Sequence, residues 1–112
     1  METISFEDFL RVELRVGRVV SAEIFEEAEK PAYVLHVDLG EELGTRKASA
    51  QITVHYRPEE LVGRLVVAVV NFPPKQIGPL MSECLVTGFH DAQGAVRLCV
   101  PDAEVPLGTR LL

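Results

Sequence analysis

Apolar positions recur along this chain with a period of two, broken by one stretch that fits neither a strand nor a helix. Between Leu14 and Phe25, the residues Leu14, Val16, Val20, Ala22 and Ile24 fall on one side of an extended chain, with Arg15, Ser21 and Glu23 opposite. That predicts a long strand, with a bulge or bend at Gly17. Ala32 to Leu39 alternates again, with Tyr33, Leu35, Val37 and Leu39 inward, before Gly40-Glu-Glu-Leu-Gly44 turns the chain into a third strand, Thr45 to Gln51. Pro58-Glu-Glu-Leu61 reads as short helical turns within the polar stretch Ile52 to Val62. Leu65 to Val70 is apolar on both faces and so belongs inside the sheet. Ser82 to Phe89, Ala95 to Val100 and a short C-terminal piece complete the strands. At the start, Ser5 is placed to cap a short helix that carries Phe6, Phe9 and Leu10 on one face.

Five or more short strands with one helical insertion after the third predict an all-β domain with short helices. Its form is a five-stranded barrel of the oligonucleotide/oligosaccharide-binding (OB) type, with an N-terminal helix and a C-terminal extension, in one domain over residues 1–112. The exceptional stretch lies between Val70 and Ser82. Pro73 and Pro74 lack amide hydrogens and cannot extend a sheet, and they force Phe72 toward an extended conformation. The chain from Lys75 to Leu80 then reads as ordered but irregular. The whole stretch between Val70 and Ser82 carries Phe72, Ile77, Leu80 and Met81, apolar side chains that either fold over a barrel end or line a groove for an extended polypeptide.

Composition narrows the chemistry. A net charge of −6 opposes general nucleic-acid binding, which requires Lys and Arg to displace counterions. The charge is uneven. Residues 1–44 hold four basic and eleven acidic residues, whereas residues 45–80 hold Arg46, Lys47, Arg57, Arg64 and Lys75 against only Glu59 and Glu60. The opening METISFEDFL has no secretory pattern and no run is long and apolar enough to span a membrane, so a cytoplasmic protein without membrane contact is expected. Cys84 and Cys99 sit in apolar runs and are expected to pack in the core. His36, His55 and His90 lack metal-ligand spacing, and no nucleophile elbow or phosphate-cradling loop occurs, so no enzyme, metal or cofactor is expected. His36 and Asp38 share the outward face of the second strand. Asn71 is the only asparagine, placed where the exceptional stretch begins, and could bond a main chain there.

Leu14-Arg-Val-Gly17, Lys30-Pro-Ala-Tyr33, Val37-Asp-Leu-Gly40, Ala48-Ser-Ala-Gln-Ile-Thr53, Val69-Val-Asn-Phe-Pro-Pro74 and Ser82-Glu83 together resemble the tRNA-binding OB-fold family, in its CsaA branch of export-related chaperones. The resemblance implies a homodimer that binds unfolded or pre-secretory polypeptides without ATP and works with the export machinery. Relatives outside the branch bind tRNA by its structure. They carry Ser-x-Gly-Met where this chain has Ser82-Glu83-Cys84-Leu85, so only the Ser matches, and Lys30 follows Glu29 where relatives often place Arg.

The polypeptide-binding reading rests on Phe25, Tyr33, Asn71, Phe72, Ile77, Leu80 and Met81. The alternative, tRNA binding, rests on Lys30, Arg46, Lys47, Arg57, Arg64, Lys75 and Ser82. Phe6, Phe9, Leu10, Val105, Leu107, Leu111 and Leu112 are apolar ends that a small barrel cannot cover, and they predict a two-fold interface.

Overall fold

A curled five-stranded sheet organises this chain, with two short hairpins beside it, and the computed structural model describes all of residues 1–112. The elements run α1 (Phe6–Leu10), β1 (Leu14–Ile24), β2 (Tyr33–Asp38), β3 (Thr45–Ala50), α2 (Pro58–Leu61), β4 (Leu65–Val69), β5 (Lys75–Ile77), β6 (Leu80–Ser82), β7 (Leu85–Val86), β8 (Gly88–His90) and β9 (Val96–Leu98). Strand β1 is long enough to serve two neighbours: its first half pairs with β4 and its second with β2, all antiparallel. The resulting order, β3-β2-β1-β4-β7, bends until β3 approaches β7 and nearly closes a barrel. The five-stranded OB architecture is therefore as expected.

The barrel is filled by the inward positions of β2, β3 and β4. Val19, Leu35, Val37, Ala48, Leu61, Val66 and Ala68 are wholly buried. Helix α2 contributes Leu61 to one barrel end. Two tyrosines stitch the region before it to the sheet. The Tyr33 hydroxyl donates to the Tyr56 carbonyl at 2.7 Å, and the Tyr56 hydroxyl accepts from the Leu98 amide at 3.0 Å. At the other end the C-terminal segment runs along β1, with hydrogen bonds from Val16 N to Thr109 O, Gly108 N to Val16 O and Leu111 N to Leu14 O. Helix α1 has the cap the sequence predicts: Ser5 Oγ accepts from Asp8 N at 3.1 Å while Asp8 Oδ2 accepts from Ser5 N at 3.2 Å. None of its residues is buried.

Three sequence expectations change. The bulge in β1 lies at Val20, between Val19 and Ser21, not at Gly17. It flips the alternation, so Val19 enters the core while Val20 and Ile24 stand exposed. Gly17 answers a different need, because a Cβ there would lie 2.4 Å from Val37 Cγ1 and 2.8 Å from Leu39 Cδ2. The stretch read as irregular is a hairpin, with Lys75, Gln76 and Ile77 opposite Ser82, Met81 and Leu80. The single strand expected over 82–89 is divided among β6, β7 and β8. Gly17→Ala is expected to cost about 1–3 kcal/mol through overpacking. Urea unfolding should show a lower midpoint with an unchanged slope.

Candidate functional site

The hairpin β5–β6 follows from its turn and from what precedes it. Pro73 and Pro74 carry the chain away from β4 without offering amides to the sheet. Gly78, at φ +55°, opens a two-residue turn with Pro79 and lets the chain double back. The tip rests on the β1–β2 connection, where a Cβ on Gly78 would lie 3.8 Å from Phe25 Cζ. The return strand then delivers Ser82 and Glu83 to the outer edge of β3. Ser82 Oγ accepts from Ser49 N at 3.2 Å, Glu83 Oε1 accepts from Lys47 N at 3.0 Å, and Glu83 N donates to Lys47 O at 2.8 Å.

This arrangement leaves a cleft of about 380 Å³ between the hairpin and the start of β7. Phe72, Pro73, Ile77 and Leu85 form its walls, with Ser49 beneath and Lys75 and Glu83 at the rim. Across Ser49 and Lys75 it opens into a polar groove of about 510 Å³ that includes Glu27, Glu29, Lys30 and Gln51. A second extension of about 400 Å³ runs between β3 and β7. Phe72 is 52% and Leu85 48% exposed, so the walls are not sealed by the chain itself.

Of the residues expected to meet a polypeptide, Phe72 and Ile77 line this cleft. Met81 is exposed on the hairpin and Leu80 half-buried beside it. Phe25 and Tyr33 are only 5% and 7% exposed, so Tyr33 faces inward as the alternation predicts and neither stands open as a polypeptide contact. Phe25 buttresses the hairpin tip and Tyr33 belongs to the core. Asn71 bonds main chain as expected, but within the fold. Its Oδ1 accepts from Glu13 N at 3.0 Å and its Nδ2 donates to Arg11 O at 2.7 Å, a bracket that ties the exit of α1 to the end of β4. Leu85 and Ser49 were missed. Leu85 stands in an apolar run whose outward member only the two-residue strand β7 reveals.

The basic set is dispersed. Only Lys30 and Lys75 share a groove. Arg46 donates to the Val70 carbonyl at 2.7 Å, Arg57 pairs with Glu60 at 3.2 Å, and Arg64 lies 5.1 Å over the Tyr56 ring. Lys47 sits on β3 with its main chain tied to Glu83, and Ser82 is buried by its bonds to Ser49 and Cys84. Ser82 and Arg46 are thus committed within the fold, whereas Arg57 stays exposed at the start of α2, apart from Lys30 and Lys75.

His36 and Asp38 do not pair: His36 Nδ1 lies 2.9 Å from Ser21 Oγ, and Asp38 Oδ1 accepts from Gly40 N. His55 Nε2 meets Asp91 Oδ2 at 2.7 Å, which holds the Asp91 carboxyl below the usual carboxylate range and pins the β8–β9 turn. No group of three His, Cys, Asp or Glu side chains converges, and no helix is long and apolar enough to cross a membrane. Both cysteines are free; burial pushes the Cys84 thiol at the cleft wall up to about 11.

Residues 14–110 match the family model described as "Putative tRNA binding domain". The chain is 38% identical over 110 residues to the methionine–tRNA ligase of Porphyromonas gingivalis, covering 98% of this chain and 16% of that enzyme. It is likewise 38% identical to the methionine–tRNA ligase of Pyrococcus furiosus, covering 99% of this chain and 15% of the other. It therefore spans about a sixth of the length of these curated relatives. The structure is similar to that of the chaperone CsaA from Bacillus anthracis, with a TM-score of 0.93 and 49% identity over 99% of this chain and 100% of that one. It is also similar to the CsaA chaperone of Picrophilus torridus, with a TM-score of 0.92 and 41% identity over 98% and 100%.

Two outcomes follow from the geometry. Asn71→Ala should cost about 1 kcal/mol and speed hydrogen exchange at the Glu13 amide, the group it leaves unpaired. Cys84, protonated until pH nears about 11, should alkylate slowly at pH 8 compared with an unfolded control and faster as pH rises.

Proposed function

The chain belongs to the tRNA-binding domain family, and from that premise we propose that it acts as a CsaA-like chaperone, a cytoplasmic homodimer that holds unfolded or pre-secretory polypeptides without ATP. The observation that carries this reading is the open apolar cleft, whose walls Phe72 and Leu85 remain about half exposed on a protein of net charge −6. A field of that sign attracts basic segments and repels phosphate. A nascent export signal, basic at one end and apolar beyond, combines the two features the cleft favours. Burying about 200 Å² of apolar area contributes roughly 5 kcal/mol before ordering costs. Binding of that strength is weak and reversible, so release requires no nucleotide. The sequence also carries no phosphate-cradling loop.

The expected dimer surface supports the same reading. Phe6, Leu10, Leu111 and Leu112 are exposed, and Phe9, Val105 and Leu107 half-buried. The Arg110 guanidinium donates to the Leu10 carbonyl, which brings the two chain ends together as one candidate patch. Phe72 also faces a groove shared with Asp8, Arg11 and Val12 at the end of α1, so the cleft runs on toward that patch. Two copies joined there would present two clefts near their junction and gain avidity for a long client.

Binding of tRNA is the second reading, favoured by the family match and by Lys30 and Lys75 in one groove. One pair of variants separates them. Phe72→Ser with Leu85→Ser, both at exposed positions and so of small stability cost, should abolish suppression of client aggregation at about 0.5 M salt, where exposed charges are screened. Lys30→Glu, outside the cleft, should leave it intact. The reverse pattern, with a tRNA gel shift lost in the lysine variant, would transfer the function to tRNA.

A further inference from the structure

Strand β3 ends the sheet, with β2 as its only ladder partner. Its outer side is only half blocked. Ser82 and Glu83 occupy both main-chain groups of Lys47 and the amide of Ser49. In a strand the amide and carbonyl of one residue point the same way, and the next outward residue lies two positions on. The Ser49 carbonyl and the Gln51 amide therefore face outward as well, and neither has a hydrogen-bond partner within the chain. An acceptor and a donor flanking Ala50 are the pair through which an incoming strand bridges a sheet edge, in either orientation. They open onto the groove between β3 and β7, beside Ile52, Leu85 and Val86. Natural sheets usually cover such edges; here the cover stops where the cleft begins.

Building on the polypeptide-holding reading, we propose that the client is recognised through its backbone, an extended segment adding as a strand to the edge of β3 at Ala50. Its amide meets the Ser49 carbonyl and its carbonyl meets the Gln51 amide, while alternate side chains enter the apolar cleft. The occupant is a polypeptide, because a ribose-phosphate chain has no alternating amide donors and carbonyl acceptors at a strand's spacing. Recognition of this kind reads little side-chain identity, which gives a holding protein its breadth.

The test is fluorescence anisotropy with a labelled apolar peptide and the same peptide N-methylated at alternate residues. Binding is measured to the unaltered chain and to Gln51→Pro, which removes the amide, and Gln51→Ala, which keeps it. Methylation is expected to weaken binding about tenfold, and Gln51→Pro to bind about tenfold more weakly than Gln51→Ala. A melting curve checks that Gln51→Pro folds; if it does not, the methylated peptide on the unaltered chain still decides. Equal binding of both peptides overturns strand addition and leaves a side-chain cleft standing. Failure of both peptides to bind overturns the polypeptide reading, and this inference with it.

Discussion

The last side of the barrel is closed by three isolated hydrogen bonds and not by a ladder, and the candidate surface depends on that. Strands β3 and β7 come together without pairing, and the Ser82 hydroxyl and the Glu83 carboxylate and amide span the gap to Lys47 and Ser49. A full ladder would have used the Ser49 carbonyl and sealed the space beneath Phe72 and Leu85. A few long-range hydrogen bonds hold the seam instead and leave an apolar opening beside it. Each such bond contributes about 1 kcal/mol, enough to fix the geometry of a core already buried elsewhere.

The hairpin serves this closure. Ser82 and Glu83 reach β3 only because Gly78 and Pro79 reverse the chain over Phe25. The double proline keeps the outgoing segment from joining the sheet, so its apolar side chains stand beside the barrel. Asn71 fixes where the departure begins by bracketing Arg11 and Glu13. The same few residues thus set the cleft's walls and its approach to the exposed chain ends.

Much of the fold was legible because β2 and the end of β3 alternate with a period of two, β4 is apolar on both faces, and α2 announces itself through Pro58 and the acids after it. The bulge at Val20 was not, since alternation cannot show where a register shifts; a glycine was the only visible cue, and Gly17 answers to Val37 and Leu39 instead. Strands β5, β6 and β7 are too short for periodicity to register. At the site, Phe72 and Ile77 were legible as apolar residues near chain breakers. Tyr33 was legible as an inward residue, whereas its and Phe25's assignment to a polypeptide surface was not secure, because an aromatic at a strand end reads alike whether it faces core or solvent. The roles of Ser82 and Glu83 depend on partners more than thirty positions away, which no local pattern encodes.

The most direct test of the account is an amide spectrum of the intact protein titrated with a chemically unfolded, aggregation-prone polypeptide. Shifts should concentrate at Gln51, Phe72, Ile77 and Leu85, and grow with client concentration at high salt. Shifts absent from these positions, or confined to Lys30 and the residues around Arg57 and Arg64, would contradict it.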